Sequence, residues 1–325
     1  MPYMDMTLEE LEAYRPGLVA PADFDARWAR TMEEARAHDI DVRVSPVDHP
    51  LRTVDVKDVT FAGFGGDRIH AWLLTPRGAT EPMPTVVEYI GYGGGRGLPH
   101  ERLFWSAAGY AHLIMDTRGQ GSAWGTGGHT ADASGGGDGG TPAHPGFMTR
   151  GILDFDSYYF RRVQTDAARA VDAARALDVV DSDRIAVHGA SQGGGLAIAA
   201  AGLADVAAAL VDVPFLCHIQ RGMMIAETDP YLEIVRYLAI HREHEERVLR
   251  TLSYVDGVHH SARATAPALF SVALMDGITP ASTVYSAYHA WSGDAEMAVY
   301  RYNGHEGGER YQQSRQADFL TRLWG

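Results

Sequence analysis

Arg184-Ile185-Ala186-Val187-His188-Gly189-Ala190-Ser191-Gln192-Gly193 joins a short apolar run to a compact run rich in glycine and alanine that continues to Leu203. Gly189 to Gly193 is a G-x-S-x-G pentapeptide between a strand pattern and a helix pattern. Small residues two before and two after the serine let the two backbones approach closely. A turn of this kind holds its serine in a strained conformation with the hydroxyl exposed above a sheet. The helix N-terminus aims backbone N–H groups at charge developing beside it. With 36 glycines in 325 residues the pentapeptide alone decides little, and its bland reading is a turn used for close packing. The flanking strand and helix make Ser191 the candidate nucleophile.

Outward from this turn the chain alternates apolar strands with helical stretches. Candidate strands are Thr85 to Ile90, His112 to Met115, Arg184 to Val187, Ala207 to Val213, Ala268 to Leu274 and Met297 to Tyr302. The clearest helical stretches are Asp166 to Leu177, Gln192 to Leu203, Ser282 to Trp291 and Gln312 to Trp324. This rhythm predicts an α/β fold around a doubly wound, mostly parallel sheet. Val54 to Phe61 and Ile69 to Leu74, separated by Gly63-Phe64-Gly65-Gly66-Asp67, predict an antiparallel hairpin on the N-terminal edge. About residues 1–50 form a helical preamble, in which Leu8, Leu11, Tyr14 and then Phe24, Trp28, Met32 recur at helical spacing. Residues 126–146 read as a long surface loop, and about residues 219–258 as an inserted helical segment. No repeat or linker divides the chain, so a single domain over residues 1–325 is expected.

The carboxyl ends of sheet strands are where an open α/β sheet places its active groups. Asp276 ends the apolar run Leu269 to Met275, and His305 follows the last strand with Gly304 before it and Gly307-Gly308 after it. Ser191, Asp276 and His305 thus stand in nucleophile, acid, base order. A serine needs a base to take its proton, and the imidazole needs a carboxylate to fix its tautomer. His289, His259 and His260 compete less well, since the first lies within a helical stretch and the others in an unpatterned loop. Glu306 and Asp294 are the weaker alternatives for the acid. Asp276 as a helix cap is disfavoured, because Thr279 and Ser282 lie closer to the following helix.

Composition bounds the rest. A formal charge of −14 argues against nucleic acid as a partner. The single Cys217 excludes an internal disulfide and fits a reducing compartment. Met1-Pro2-Tyr3-Met4-Asp5, followed by Glu9-Glu10, is acidic without an apolar core, so a signal peptide is not expected. Leu196 to Cys217 is too interrupted by Asp205 and Asp212 to span a membrane. A cytoplasmic protein is expected. His305-Glu306-Gly307-Gly308-Glu309 lacks the second histidine and the helix of a zinc motif, and His241, Glu243 and His244 read as a solvated face, so no metal is expected. Gly135, Gly137 and Gly140 fit a dinucleotide spacing but lack the flanking strand and helix.

Three motifs in order, Asp116-Thr117-Arg118-Gly119-Gln120-Gly121, Gly189-Ala190-Ser191-Gln192-Gly193-Gly194 and His305-Glu306, resemble the signatures of carbohydrate esterase family seven. These are α/β-hydrolase-fold acetyl xylan esterases that also act as cephalosporin C deacetylases. The likeness extends to Ile90-Gly91-Tyr92-Gly93-Gly94-Gly95-Arg96-Gly97 and Asp212-Val213-Pro214-Phe215-Leu216-Cys217-His218, and covers nearly the whole chain. The resemblance implies a triad of Ser191, Asp276 and His305, and an oxyanion hole from the Tyr92 and Gln192 amides. It makes Arg118, Gly119 and Gln120 a structural motif, in which Arg118 is expected to be a buried guanidinium tying the loops that carry the nucleophile. It further implies deacetylation of small sugars, short xylo-oligosaccharides and cephalosporin C without metal or cofactor, by a cytoplasmic homo-hexamer, a trimer of dimers. The edge hairpin and inserted helices would then make the subunit contacts. The same scaffold hosts serine peptidases and non-catalytic binding proteins, which remain the competing classes.

Overall fold

The computed structural model describes residues 5–135 and 141–325. Met1 to Met4, and Gly137 and Gly140 of the dinucleotide-like spacing, lie outside them. In chain order the elements are α1 (Leu8–Ala13), α2 (Phe24–Arg36), β1 (Arg43–Pro46), β2 (Val54–Ala62), β3 (Arg68–Pro76), β4 (Met83–Tyr89), α3 (Phe104–Ala107) and β5 (Ala111–Met115). Then follow α4 (Tyr159–Arg175), β6 (Val180–Ala190), α5 (Gln192–Leu203), β7 (Ala208–Asp212), α6 (Ile219–Ile225), α7 (Tyr231–Ile240), α8 (Glu245–Ser253) and α9 (Gly257–Ser261). The chain closes with β8 (Ala268–Ala273), α10 (Ala281–Ala290), β9 (Ala295–Tyr300) and α11 (Glu309–Trp324).

All strands join one sheet in the order β1-β2-β3-β5-β4-β6-β7-β8-β9. Pairing is antiparallel from β1 through β3 to β5 and parallel from β5 to β9. The mostly parallel sheet with an antiparallel N-terminal edge therefore stands as expected. One face packs Val87, Val187, Val211 and Phe270 with α4 and α5. The other packs Val86, Ala186 and Leu210 with Trp105 of α3 and with Phe319 and Leu320 of α11. Burial on both faces is what a run of consecutive apolar residues in each parallel strand encodes. Among the described residues no helix is long and apolar enough to cross a membrane.

Several boundaries differ from the sequence expectation. α4 starts seven residues earlier, at Tyr159 rather than Asp166, because its first turns bury polar side chains that apolar periodicity overlooks. Arg162 binds Asp132 at 2.7 Å and Arg161 binds Thr31 at 3.0 Å. β1 was not expected. Only Val44 is strongly apolar in Arg43-Val44-Ser45-Pro46, and a proline is tolerated there because the strand is an edge. The stretch after Thr126 is not wholly a surface loop, since Thr130 and Asp132 are buried. Neither Thr279 nor Ser282 caps α10. The Ser282 N–H is instead taken by the Asp5 carboxylate at 2.6 Å, from the far end of the sequence.

Candidate active site

Ser191 stands between β6 and α5 with φ 57° and ψ −122°, a left-handed conformation that costs a non-glycine residue of order 1–3 kcal/mol. The turn closes only because glycines flank it. A Cβ on Gly189 would overlap the Gly193 backbone, and one on Gly193 would overlap the Tyr89 carbonyl. The Ser191 N–H donates to the Asp212 carbonyl at 3.0 Å, and its own carbonyl accepts from Phe215 at 2.9 Å. Ser191 lines a cavity of about 740 Å³ together with Tyr92, Trp124, His144, Pro230, Ile278 and His305.

Asp276 leaves the end of β8 fully buried, and its carboxylate accepts four hydrogen bonds. The donors are the Ile278 and Thr279 amides at 2.8 and 3.0 Å, the Thr279 hydroxyl at 2.7 Å and His305 Nδ1 at 2.8 Å. Donation from Nδ1 leaves His305 Nε2 as the basic nitrogen. The ring is about a third exposed and faces the same cavity as Ser191. The structure thus brings Ser191, Asp276 and His305 to one edge of the sheet from the loops that follow β6, β8 and β9.

Gln192 opens α5, so its N–H has no intrahelical partner. Its side chain is buried and forms an amide pair with Gln120, whose Nε2 donates to Gln192 Oε1 at 2.8 Å. Gln120 Oε1 also accepts from the Gly93 N–H at 2.6 Å, and Gln192 Nε2 donates to the Ile90 carbonyl at 3.1 Å. Gln120 therefore couples the loop of Tyr92 to the turn of Ser191. Gly119, at φ 69°, lets the chain turn so that Gln120 points inward. Arg118 works elsewhere. Its buried guanidinium grips Asp166 of α4 at 2.5 and 2.8 Å and Asp67 at 2.9 Å, joining the hairpin turn to α4. Burial opposes that charge, and the Asp166 carboxylate overcomes it, holding Arg118 above the usual guanidinium range.

One functional contact escaped sequence reasoning. The Tyr92 hydroxyl donates to Glu233 of α7 at 2.8 Å and accepts from the Phe147 N–H at 2.9 Å. Glu233 also accepts the Met148 N–H at 3.1 Å. The available signal was a lone acid, Glu233, beside the buried Tyr231 and Ile234 in a helix whose other charge, Arg236, is exposed. Burial raises the Glu233 carboxyl against these hydrogen bonds. The inserted helices thereby hold the loop that presents the Tyr92 amide.

The competitors are engaged elsewhere, although Glu306 lines the same cavity. His289 bonds the Tyr14 carbonyl at 2.8 Å, and Glu306 bonds Asn303 at 2.7 Å, which lowers its carboxyl. His241, Glu243 and His244 bring ligand atoms within 4.8 Å of one another at the corner of α7 and α8, and none of them lines the Ser191 cavity.

The acetyl xylan esterase (AXE1) family model matches residues 1–323. The chain belongs to the acetyl xylan esterase family. Among solved structures it resembles an acetyl xylan esterase from Paenibacillus sp. R4, with 39% identity, TM-score 0.89, and coverage of 98% of this chain and 99% of that one. Acetyl xylan esterase 1 from Thermoanaerobacterium sp. JW/SL YS485 matches at 31% identity and TM-score 0.87, covering 99% and 100%. Acetyl esterase Axe7A of Xylanibacter ruminicola is 26% identical over 303 residues, which are 90% of this chain and 65% of that protein's length. An acylaminoacyl peptidase of Pyrococcus horikoshii, at 14% identity and TM-score 0.58, shares the fold across 84% of this chain and 42% of its own. The family fold is thus the α/β-hydrolase fold, with Ser191 on its strand-to-helix turn.

Proposed function

We propose that the protein is a serine esterase that deacetylates small acetylated sugars, short xylo-oligosaccharides and cephalosporin C. The observation that carries this reading is the Asp276–His305 hydrogen bond beside a strained Ser191 in one cavity. Ser191 Oγ attacks the acetyl carbonyl carbon while His305 Nε2 takes the hydroxyl proton. The oxyanion is held by the Tyr92 and Gln192 amides. The acyl C–O bond then breaks, and the leaving sugar oxygen receives the proton from His305. Water, deprotonated by the same imidazole, attacks the acetyl-Ser191 ester and releases acetate. The cycle balances with water alone and calls for no cofactor. A cavity of about 740 Å³ suits a small ester better than a polymer chain.

A cytoplasmic homo-hexamer, a trimer of dimers, is part of the same proposal. Met224 and Ile240 on the inserted helices leave apolar side chains exposed where subunit contacts are expected, while β1 covers the outer edge of the hairpin and exposes Val44. Light scattering on the purified protein tests the assembly.

The deciding experiment compares acetate release from cephalosporin C and from an acetylated xylo-oligosaccharide for wild type and Ser191→Ala. Release from both that falls about 10⁶-fold in kcat in the variant is the expected result. Release that survives the substitution overturns the triad, and release from neither substrate by wild type overturns the substrate class.

A further inference from the structure

Asp212, the last residue of β7, faces two ways. Its main-chain carbonyl accepts the Ser191 N–H at 3.0 Å. Its carboxylate accepts Gln312 Nε2 at 2.9 Å and Gln316 Nε2 at 2.6 Å, both from α11 and both fully buried. α11 begins four residues after His305. Gln312 Oε1 also accepts the hydroxyl of Tyr300 at 2.8 Å, at the end of β9. Both ends of the loop that carries His305 are therefore anchored through Gln312 to the residue that holds the Ser191 backbone. Gly308 lies so close to the Tyr300 ring that a Cβ would overlap it, which leaves the loop little room to shift.

We infer that Asp212 is a positioning residue that sets the separation of nucleophile and base, acting as a strut between the Ser191 turn and the His305 loop. This rests on the triad reading above. Among the described residues no other side chain bonds α11 while its own backbone bonds Ser191. A displacement of 1 Å between reacting groups costs on the order of 100-fold in rate, so a strut matters to kcat even where it never touches substrate. His188 Nε2 also lies 3.5 Å from the same carboxylate.

The test uses steady-state hydrolysis of p-nitrophenyl acetate with thermal unfolding alongside. Asp212→Leu removes both glutamine bonds and keeps the main-chain carbonyl. The expected result is a fall of roughly 10- to 100-fold in kcat, with KM unchanged within about twofold. Asp212→Asn should recover most of the rate, because Gln316 Oε1 has no partner among the described residues and the Gln316 amide can turn over to accept from asparagine. A kcat within twofold of wild type for Asp212→Leu overturns the strut, as does a loss that merely tracks unfolding. If Asp212→Leu does not fold, the Gln312→Leu/Gln316→Leu double variant is read by the same criteria. Ser191→Ala separates the two claims. Activity that survives it defeats the triad, whereas an Asp212→Leu enzyme at full rate defeats only the strut.

Discussion

The two faces of the sheet use the same strands and diverge at the carboxyl edge. Toward α4 and α5 the side chains stay apolar to the end, through Tyr89, Val187 and Val211. Toward α3 and α11 they start apolar, with Val86, Ala186 and Leu210, and then turn to Glu88, His188 and Asp212. Glu88 and His188 are direct partners in the β4–β6 register, and Asp212 sits one strand further on. Burial would raise the Glu88 carboxyl, but Arg102 and the His112 ring at 2.8 Å hold it below the usual range. One face supplies packing. The other concentrates buried charge directly beneath Ser191, where precise placement has the greatest effect on rate.

The sharpest way to break this division is at the edge itself. Asp276→Asn keeps the shape of the residue at the end of β8 but replaces an acceptor with a donor facing His305. The expected outcome is a fall of about 10⁴-fold in kcat, about 5 to 6 kcal/mol of transition-state stabilisation. Urea unfolding should move far less. A midpoint that collapses along with the activity would make Asp276 a structural acid, like those that bind Arg118.

How much of this was legible follows from distance along the chain. The Ser191 turn was readable because strand, glycines and helix lie within twenty residues, and α5 falls at Gln192–Leu203 as the pattern predicts. Asp276 and His305 were readable because each closes an apolar run. Asp212 with Gln312, and Tyr92 with Glu233, were not, since each pair is separated by 100 or more residues and depends on how helices pack. β6 begins at Val180 rather than Arg184 because Asp181-Ser182-Asp183 enters the sheet at its exposed end, where polarity carries no penalty.

Arg118 tests whether buried charge away from the reaction acts on stability instead of rate. Arg118→Met would leave Asp166 buried beside Asp67 and Asp132 without its bidentate partner. A loss of about 3–5 kcal/mol in urea unfolding is expected. Arg118→Lys should restore only a minor part, because a single ammonium cannot replace a planar fork that reaches Asp166 and Asp67 together. Full recovery by lysine would mean that charge alone holds the hairpin turn to α4.

The smallest effect contrasts two buried histidines. His260 lies on the α5 side, with Phe24 and Trp28 rings 5.2 and 5.1 Å away, and both its nitrogens lack partners among the described residues. Burial, reinforced by His259 and Arg263, lowers it to about 3. The unfolded chain then binds a proton that the folded chain refuses, so stability falls as pH drops below about 6.5 and continues to fall towards 3. At pH 5 the cost is about 2 kcal/mol. His188 has the opposite sense. Burial works against its charge, but Asp212 and Glu88 prevail and raise it, so its contribution is present below about 6.5 and is lost as pH rises through the folded value. Urea midpoints measured from pH 5 to 9 should lose their acid limb in His260→Leu and their alkaline limb in His188→Gln. Profiles that change in neither variant, or in the same direction in both, would mean that the two faces do not impose opposite electrostatics on a buried imidazole.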